Sequence, residues 1–272
     1  KEKQISLEEI NYNDLVFRDG LLYKKFSENL FTGKSTGKIQ SEFVAGISVG
    51  TFKQYHDNGN LFESGYFSNG KLDGRHKVYH ANGNIKEEGL YVDGKKYGLF
   101  NFYQSNGYHK AIEYFHGKKN GLQREMFMGK IKKSFWYEHG ELYESKSFYS
   151  SGQLEYKELN CNYTGLKYQS PTGPKQIGIK IEYYPNGQLK VKKYTLAGKL
   201  GCHYLEVGES LYYKENGNLV FRHYYNLEGN QHGEQLWYAD VETNPLKSKH
   251  YYVDGKEEGI NWTYTEYIKG GL

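Results

Sequence analysis

The sequence predicts an all-β protein: an elongated, twisted array of antiparallel β-hairpins forming a meander, either as a single layer or in a solenoid-like arrangement. One tyrosine-centred unit recurs at fixed spacing along the chain. Glycine-containing turns follow one another every 10 to 13 residues over much of its length. The composition agrees, since the 272 residues include 33 Gly and 29 Tyr but only 4 Pro. Such a repeat indicates units that pack on their immediate neighbours.

The repeated unit is G-x4-Y-x3-G, and it occurs five times. An aliphatic residue stands two positions after the closing glycine in four units, and His109 replaces it in the third. Seven positions after that glycine comes Tyr66, Leu90, Tyr114, Tyr194 or Tyr224. The central tyrosines are Tyr55, Tyr79, Tyr103, Tyr183 and Tyr213, and the closing glycines are Gly59, Gly83, Gly107, Gly187 and Gly217.

The turns form two series. In the first, asparagine precedes each closing glycine of the unit. Asn-Gly is a strong hairpin signal because both residues tolerate the positive φ of a tight turn. Each interval between turns is therefore expected to hold one short strand. The second series alternates with the first and consists of Asn69-Gly70, Asp93-Gly94, His116-Gly117, Ala197-Gly198, Glu228-Gly229 and Asp254-Gly255.

The five central tyrosines are expected to line up across neighbouring strands and act as candidate binding residues. Cross-strand packing, which stabilises a sheet lacking a thick core, is the favoured interpretation of this tyrosine row. The functional alternative is an exposed aromatic and basic face that engages a protein, a glycan or acidic lipid headgroups. Lysines flank the alternate turns at Lys71, Lys95, Lys118 and Lys199.

The predicted organisation is one β-repeat domain over residues 15–272, with irregular segments near 121–178 and 200–208. Residues 1–14 are expected to form an N-terminal cap or short helix. Ser6 and Glu9 have capping-box spacing over residues 4–12, with an extended strand as the alternative. The chain starts at Lys1 rather than Met, which indicates either processing or a trimmed sequence. A removed signal peptide is one explanation, and export to the envelope or beyond is slightly favoured over a cytoplasmic location. End strands need cover, which makes an edge-to-edge homodimer an open alternative.

Composition excludes several classes. The chain has no apolar stretch near 20 residues that would span a bilayer as a helix, and 17% aromatic residues argue against intrinsic disorder. A net charge of +4, with both signs interleaved, gives no reason to expect a nucleic-acid partner. Cys161 and Cys202 have no zinc-site spacing, and the choice between a bonded and a free pair stays open.

No sequence feature indicates catalysis, a cofactor or a metal. His76 and His80 are the closest histidine pair, and four strand residues would separate them by about 13 Å, too far to share an ion. The paired carboxylates Glu87-Glu88 and Glu257-Glu258 follow the repeat, which favours a structural role. An enzyme normally needs one asymmetric constellation, and this chain repeats the same modest surface. We therefore expect a non-enzymatic protein without a cofactor.

The units resemble the variant class of MORN repeats. Tyr183-Tyr184-Pro185-Asn186-Gly187-Gln188-Leu189-Lys190 and Tyr91-Val92-Asp93-Gly94-Lys95 carry the likeness, and recognisable units cover most of residues 18–259. The resemblance implies a β-hairpin array without a catalytic motif. It also implies protein–protein interaction, either as a bacterial antitoxin or immunity protein of the YwqK-like kind or in contact with a host. A cell-envelope module that binds lipid headgroups or glycans is the alternative.

Overall fold

A computed structural model describes residues 7–160, 164, 167–168, 175–198, 201–239, 246–259 and 262–263. Within these residues strands dominate, and one 3-10 helix is present. The predicted all-β array of antiparallel hairpins is confirmed. The open question of a Cys161–Cys202 bond falls outside the described side chains.

The chain divides into two compact units. The first comprises Lys1–Gly129 with Glu138–Gly140, and the second comprises Lys130–Tyr137 with Glu141–Leu272. The strands of the first unit are β1 (Glu9–Asn11), β2 (Leu15–Arg18), β3 (Leu21–Lys24), β4 (Gly33–Thr36), β5 (Ile39–Val44), β6 (Ile47–Tyr55), β7 (Leu61–Ser68), β8 (Lys71–Leu72), β9 (Gly74–Tyr79), β10 (Ile85–Val92), β11 (Lys95–Tyr103), β12 (Tyr108–Phe115) and β13 (Lys118–Phe127).

In the first unit, strands β4 to β13 pair with their neighbours in chain order. The antiparallel series runs β4-β5-β6-β7-β9-β10-β11-β12-β13, and the short β8 also pairs with β7. Strand β1 adds to β4 in parallel. Residues Glu9–Asn11, inside the segment predicted as helix or strand, are thus extended, and the 3-10 helix Tyr12–Asp14 follows them.

A separate hairpin of β2 and β3 covers one end of this sheet. Leu15 and Leu22 from the hairpin pack with Phe31 and Phe43, and all four are buried. The cluster is apolar, so its burial stabilises the packing of the hairpin on the sheet. No other described element of the first unit forms a second layer.

The second unit repeats the same topology. Its antiparallel series runs β15-β16-β18-β19-β21-β22-β23-β24. The segment near 200–208 contributes β20, which pairs with β19 ahead of β21. The strands are β14 (Lys130–Glu138, whose last residue belongs to the first unit), β15 (Glu141–Phe148), β16 (Leu154–Leu159), β17 (Lys167–Tyr168), β18 (Lys175–Tyr183), β19 (Leu189–Gly198), β20 (Gly201–Glu206), β21 (Gly208–Tyr213), β22 (Leu219–Tyr225), β23 (Gly233–Tyr238), β24 (Leu246–Val253), β25 (Lys256–Glu257) and β26 (Trp262–Thr263).

The two series of turns differ in geometry, which corrects the sequence interpretation of the first series. At His56–Asn60 only Gly59 has positive φ, at +85°, so the loop holds three residues rather than two. Asn58 uses its side chain instead: the backbone N–H of Asn60 donates to its Oδ1 at 3.1 Å. The same bond recurs at Asn82, Asn106, Asn186 and Asn216.

Positive φ at both turn residues occurs in the second series. Asp93 and Gly94 have φ of +50° and +75°, as a two-residue turn requires. Asn69-Gly70, His116-Gly117 and Asp254-Gly255 share this geometry. Glu228-Gly229 instead belongs to the three-residue type, because only its glycine has positive φ. Ala197-Gly198 lies within β19 and is not the predicted turn.

Aromatic rings packed against glycines of the adjacent strand add to the buried core of the first unit. Phe52 lies over Gly65, and Phe100, which is 0% exposed, lies over Gly89. A Cβ on Gly89 would stand 2.5 Å from three atoms of the Phe100 ring. Large side chains are thus buried without an opposing layer, which explains how a chain of low hydrophobic content folds.

Candidate functional site

The five central tyrosines lie at strand ends beside the three-residue turns, and all are half-buried. Each stands opposite the residue two positions after its closing glycine, so Tyr55 pairs with Leu61 and Tyr79 with Ile85. Tyr103 pairs with His109, whose ring stacks on it at 4.5 Å. Tyr183 and Tyr213 pair with Leu189 and Leu219. The aliphatic position of the repeat is therefore the packing partner of the tyrosine.

The backbone carbonyls of Tyr79, Tyr103 and Tyr213 accept hydrogen bonds from side chains of the preceding repeat. His56 Nε2 donates to the carbonyl of Tyr79 at 3.0 Å, and His80 Nε2 donates to that of Tyr103 at 2.9 Å. In the second unit the hydroxyl of Tyr184 donates to the backbone carbonyl of Tyr213 at 2.8 Å. No described ring contact joins two of the five tyrosines. Their geometry is that of packing positions which lock one repeat to the next.

Burial shifts the pKa values of Tyr103 and His109, the one pair in which histidine replaces the aliphatic residue. Burial raises the pKa of Tyr103, and the nearby Glu88 carboxylate adds to the effect. Burial lowers the pKa of His109, with Glu88 opposing. Both shifts favour the neutral forms of the stacked pair.

Five exposed apolar side chains of the first unit share one face of the sheet. We call Tyr66, Leu90, Tyr97, Leu99 and Phe115 the open-face strip; their exposures range from 38% to 51%. Leu90 stands opposite Tyr97 across β10 and β11. The rings of Tyr97 and Phe115 are 5.6 Å apart. These contacts join Leu90, Tyr97 and Phe115 of three adjacent strands into a contiguous apolar surface.

Cations border this strip. Arg75 of β9 is exposed and stands opposite Leu90. Lys95 and Lys118 begin the strands that follow the two-residue turns, and both are exposed. Tyr97 and Phe115 lie next to those turns, and His116 contacts both rings. An apolar centre with a polar, solvent-accessible rim is the general composition of protein–protein interfaces.

The opposite face, which we call the groove face, carries a continuous series of rings. Phe52, His76, Tyr91, Phe100 and Tyr114 follow one another across the strands, with centroids 5.2–6.3 Å apart. His76 occupies the position that Phe52 and Phe100 hold in their units. Glycine, phenylalanine and tyrosine here serve the fold, and this face is largely buried.

One polar pair interrupts the ring series. His76 is 5% exposed, and its Nε2 lies 2.6 Å from Oε1 of Glu63. Its Nδ1 is buried without a hydrogen-bond partner. The sequence search considered His76 only as a metal ligand with His80 and missed this pair, because Glu63 comes from a different strand.

Glu63 also lines a cavity of about 340 Å³ between the β2–β3 hairpin and strands β5 to β7. Aromatic and aliphatic side chains form most of its lining, including Tyr12, Phe17, Phe52 and Phe67. A second depression of about 380 Å³ near β4 and β5 is lined mainly by polar residues such as Lys34 and Glu42, which are 3.3 Å apart.

The sequence contained a partial signal for the open-face strip. Tyr66 and Leu90 occupy the position seven residues after the closing glycine, but Tyr114 at that position lies on the groove face. The pairing of β6 with β7 has a bulge between Gln54 and Tyr55, whereas β11 and β12 pair without one. A register difference of one residue moves side chains to the other face. The β11–β12 hairpin, which has no bulge, is also the one in which His109 replaces the aliphatic residue of the repeat.

No group of three or more His, Cys, Asp or Glu side chains in the described part of the chain is arranged to hold a metal ion. No helix among the same residues is long and apolar enough to cross a membrane.

Three segments match the MORN repeat variant: residues 48–69, 72–93 and 176–196. MORN repeats generally act in protein or membrane binding. No curated protein matches the chain. Two solved structures, of TcdB2-TccC3-Cdc42 and TcdB2-TccC3-TEV, are 13% identical over 92% of this chain, with TM-scores of 0.21 and 0.20. The chain spans 16% of the length of each, and we infer nothing from them. The matched segments correspond to hairpins of this fold, so a MORN-type repeat is present in both units.

Proposed function

We propose that this chain is a non-catalytic binding protein that holds a partner protein against the open-face strip. The observation that carries the proposal is the exposure of Tyr66, Leu90, Tyr97, Leu99 and Phe115 on one face of the first unit. Contiguous apolar surface is costly to leave in water, so such a patch typically marks an interaction site. Aromatic residues are also the side chains that most often dominate binding energy at interfaces.

An antitoxin or immunity role, or contact with a host protein, is the form of this function that we favour. It rests on the repeat resemblance and on the absence of any catalytic constellation in the described residues. A partner toxin would present an apolar patch with acidic residues around it, because Arg75, Lys95 and Lys118 border the strip.

Affinity capture with variants tests the proposal. The strip variant carries Leu90→Ser and Leu99→Ser, and the matched control carries Val44→Ser and Met128→Ser, which are exposed apolar residues outside the strip. Extract from cells that express the neighbouring genes is passed over immobilised wild type, strip variant and control. We expect a partner to bind wild type and control and to lose at least tenfold in affinity for the strip variant.

The outcome that contradicts the proposal is a partner retained equally by the strip variant, or no saturable partner at all. Thermal melts of the three proteins serve as the folding control. Surface substitutions of this kind normally change stability by less than about 0.5 kcal/mol, so a large change would disqualify the variant.

A membrane-surface function is the second candidate, favoured by the lysines next to exposed rings. Lys95 and Lys118 flank Tyr97 and Phe115, and aromatic rings beside cations suit an anionic bilayer surface. Vesicles with and without anionic lipid distinguish it. Salt-sensitive binding that Lys95→Gln with Lys118→Gln abolishes would support it, and equal binding to neutral vesicles would contradict it.

A further inference from the structure

We propose that the 340 Å³ cavity of the first unit is a binding groove for a cationic side chain with an apolar stem, a lysine or arginine of a ligand. The β2–β3 hairpin forms one wall of the groove and strands β5 to β7 form the other. The site lies on the groove face, because Glu63 and Phe67 alternate along β7 with Tyr66 of the open-face strip. The inference is therefore independent of the proposed function.

The lining combines apolar walls with a single charge. Tyr12, Phe17, Phe52 and Phe67 contribute rings, and Glu63 is the one charged residue of the lining. The polar remainder is neutral and consists of Ser41, Ser48 and Gln54. A carboxylate in such surroundings attracts a cation strongly, since the low local dielectric weakens its solvation. Rings next to the carboxylate add cation–π attraction.

The next repeat shows this chemistry with a cation from the chain itself. Glu87 occupies the position in the next repeat that Glu63 holds in its own repeat. Lys96 Nζ lies 2.6 Å from Oε1 of Glu87. The same ammonium lies 4.5 Å from the Phe100 ring centroid and 4.8 Å from that of Phe102. A lysine head held by a carboxylate against aromatic rings is thus an arrangement that this sheet already stabilises.

No lysine in the described part of the chain contacts Glu63 in this way, and the imidazole of His76 lies at its Oε1 instead. Leu72 stands at the position equivalent to Lys96, as its pairing with Phe67 mirrors the pairing of Lys96 with Tyr91. Glu63 is contacted only through Oε1, by His76, and no described residue donates to its Oε2. We infer that the ligand supplies to Glu63 the positive charge that Lys96 supplies to Glu87.

The test uses n-hexylammonium as probe and n-hexanol as its neutral analogue, followed by NMR shifts of the Phe52 and Phe67 rings in the full chain. Wild type is compared with Glu63→Gln and with the control Asp57→Asn, which removes an exposed carboxylate from a turn of the same unit. We expect saturable binding of hexylammonium at least tenfold tighter than that of hexanol. Glu63→Gln should remove this preference, and Asp57→Asn should retain it.

Leu72→Lys keeps the proposal testable if Glu63→Gln fails to fold. It places a chain cation beside Glu63 and leaves the carboxylate intact, so hexylammonium should bind at least tenfold more weakly while hexanol binding stays unchanged. Equal affinity for the two probes would overturn the proposal. So would no saturable binding of hexylammonium, or an affinity unaffected by Glu63→Gln or by Leu72→Lys.

Discussion

Gly89→Ala is the substitution that most sharply tests how a sheet without an opposing layer makes its core. The new methyl group would stand 2.5 Å from Cγ, Cδ1 and Cε1 of Phe100. Ordinary carbon contacts begin near 3.5 Å, so the ring must move by about 1 Å. Phe100 is 0% exposed and contacts Tyr91 and Tyr114, each at 5.4 Å between centroids. Movement of this ring therefore displaces its neighbours.

The expected cost is about 1–3 kcal/mol, the usual range for one extra methyl group in a packed core. Backbone strain does not contribute, because φ of Gly89 lies outside the left-handed region. Without the clash, alanine in a strand interior would instead stabilise the chain by about 0.5–1 kcal/mol relative to glycine. A loss of stability therefore indicates the clash with Phe100, and a gain of stability indicates that the clash is absent.

Urea and thermal unfolding of four proteins measure the effect: wild type, Gly89→Ala, Phe100→Ala and the double variant. Phe100→Ala alone should cost about 3–5 kcal/mol. In its background Gly89→Ala should become neutral or stabilising, since the ring it opposes has gone. A Gly89→Ala protein as stable as wild type would refute the packing account. The same penalty in both backgrounds would refute it as well.

Three further predictions concern the repeat. Tyr184→Phe removes the 2.8 Å hydrogen bond to the Tyr213 carbonyl and should lower the free energy of urea unfolding by about 1 kcal/mol. The control Tyr183→Phe, which removes a hydroxyl without a described partner, should lower it by less than about 0.5 kcal/mol. Equal costs would argue that this hydrogen bond does not stabilise the contact between repeats. Gly83→Ala should cost about 1–2 kcal/mol of stability because alanine is strained at the φ of +88°. No atom lies within 4 Å of the new Cβ, so a steric clash does not contribute, and a neutral result would show that the turn rearranges. Burial lowers the pKa of His223 below its ordinary value of 6.5, with Glu206 opposing and Lys193 reinforcing the shift. The unfolded chain then takes up the proton first, so this stabilisation is complete above pH 6.5 and declines as the pH falls through the lower folded pKa. His223→Gln should flatten that decline in urea midpoints between pH 7.5 and 5.5, and an unchanged slope would contradict the assignment.

Local signals were sufficient to predict the hairpin array. Glycine and asparagine spacing located the turns, and the tyrosine-to-aliphatic spacing reflects direct cross-strand partners such as Tyr55 and Leu61. The turn type was less accessible, because Asn58 acts through its side chain rather than through a positive φ. Residue type alone does not show whether an asparagine accepts a hydrogen bond through its side chain or adopts positive φ in a turn.

Features that depend on register or on distant segments were not predictable. A bulge decides which face Tyr66 and Tyr114 occupy, and its presence changes between hairpins with similar sequences. The groove brings Tyr12 and Phe17 next to Glu63, so no local pattern indicates it. The five tyrosines predicted as a binding row lie half-buried at strand ends, where the sequence also allowed a packing role.

Hydroxyl-radical footprinting of the intact chain tests the central claim most directly, namely that one sheet face is open and the other supplies the core. At low protein concentration, Tyr66, Tyr97 and Phe115 should oxidise rapidly, whereas Phe52 and Phe100 should be protected. Binding of the partner should then slow oxidation on the open-face strip alone. Equal protection of both sets in the free chain would contradict the account, because it would mean that the open face is already covered.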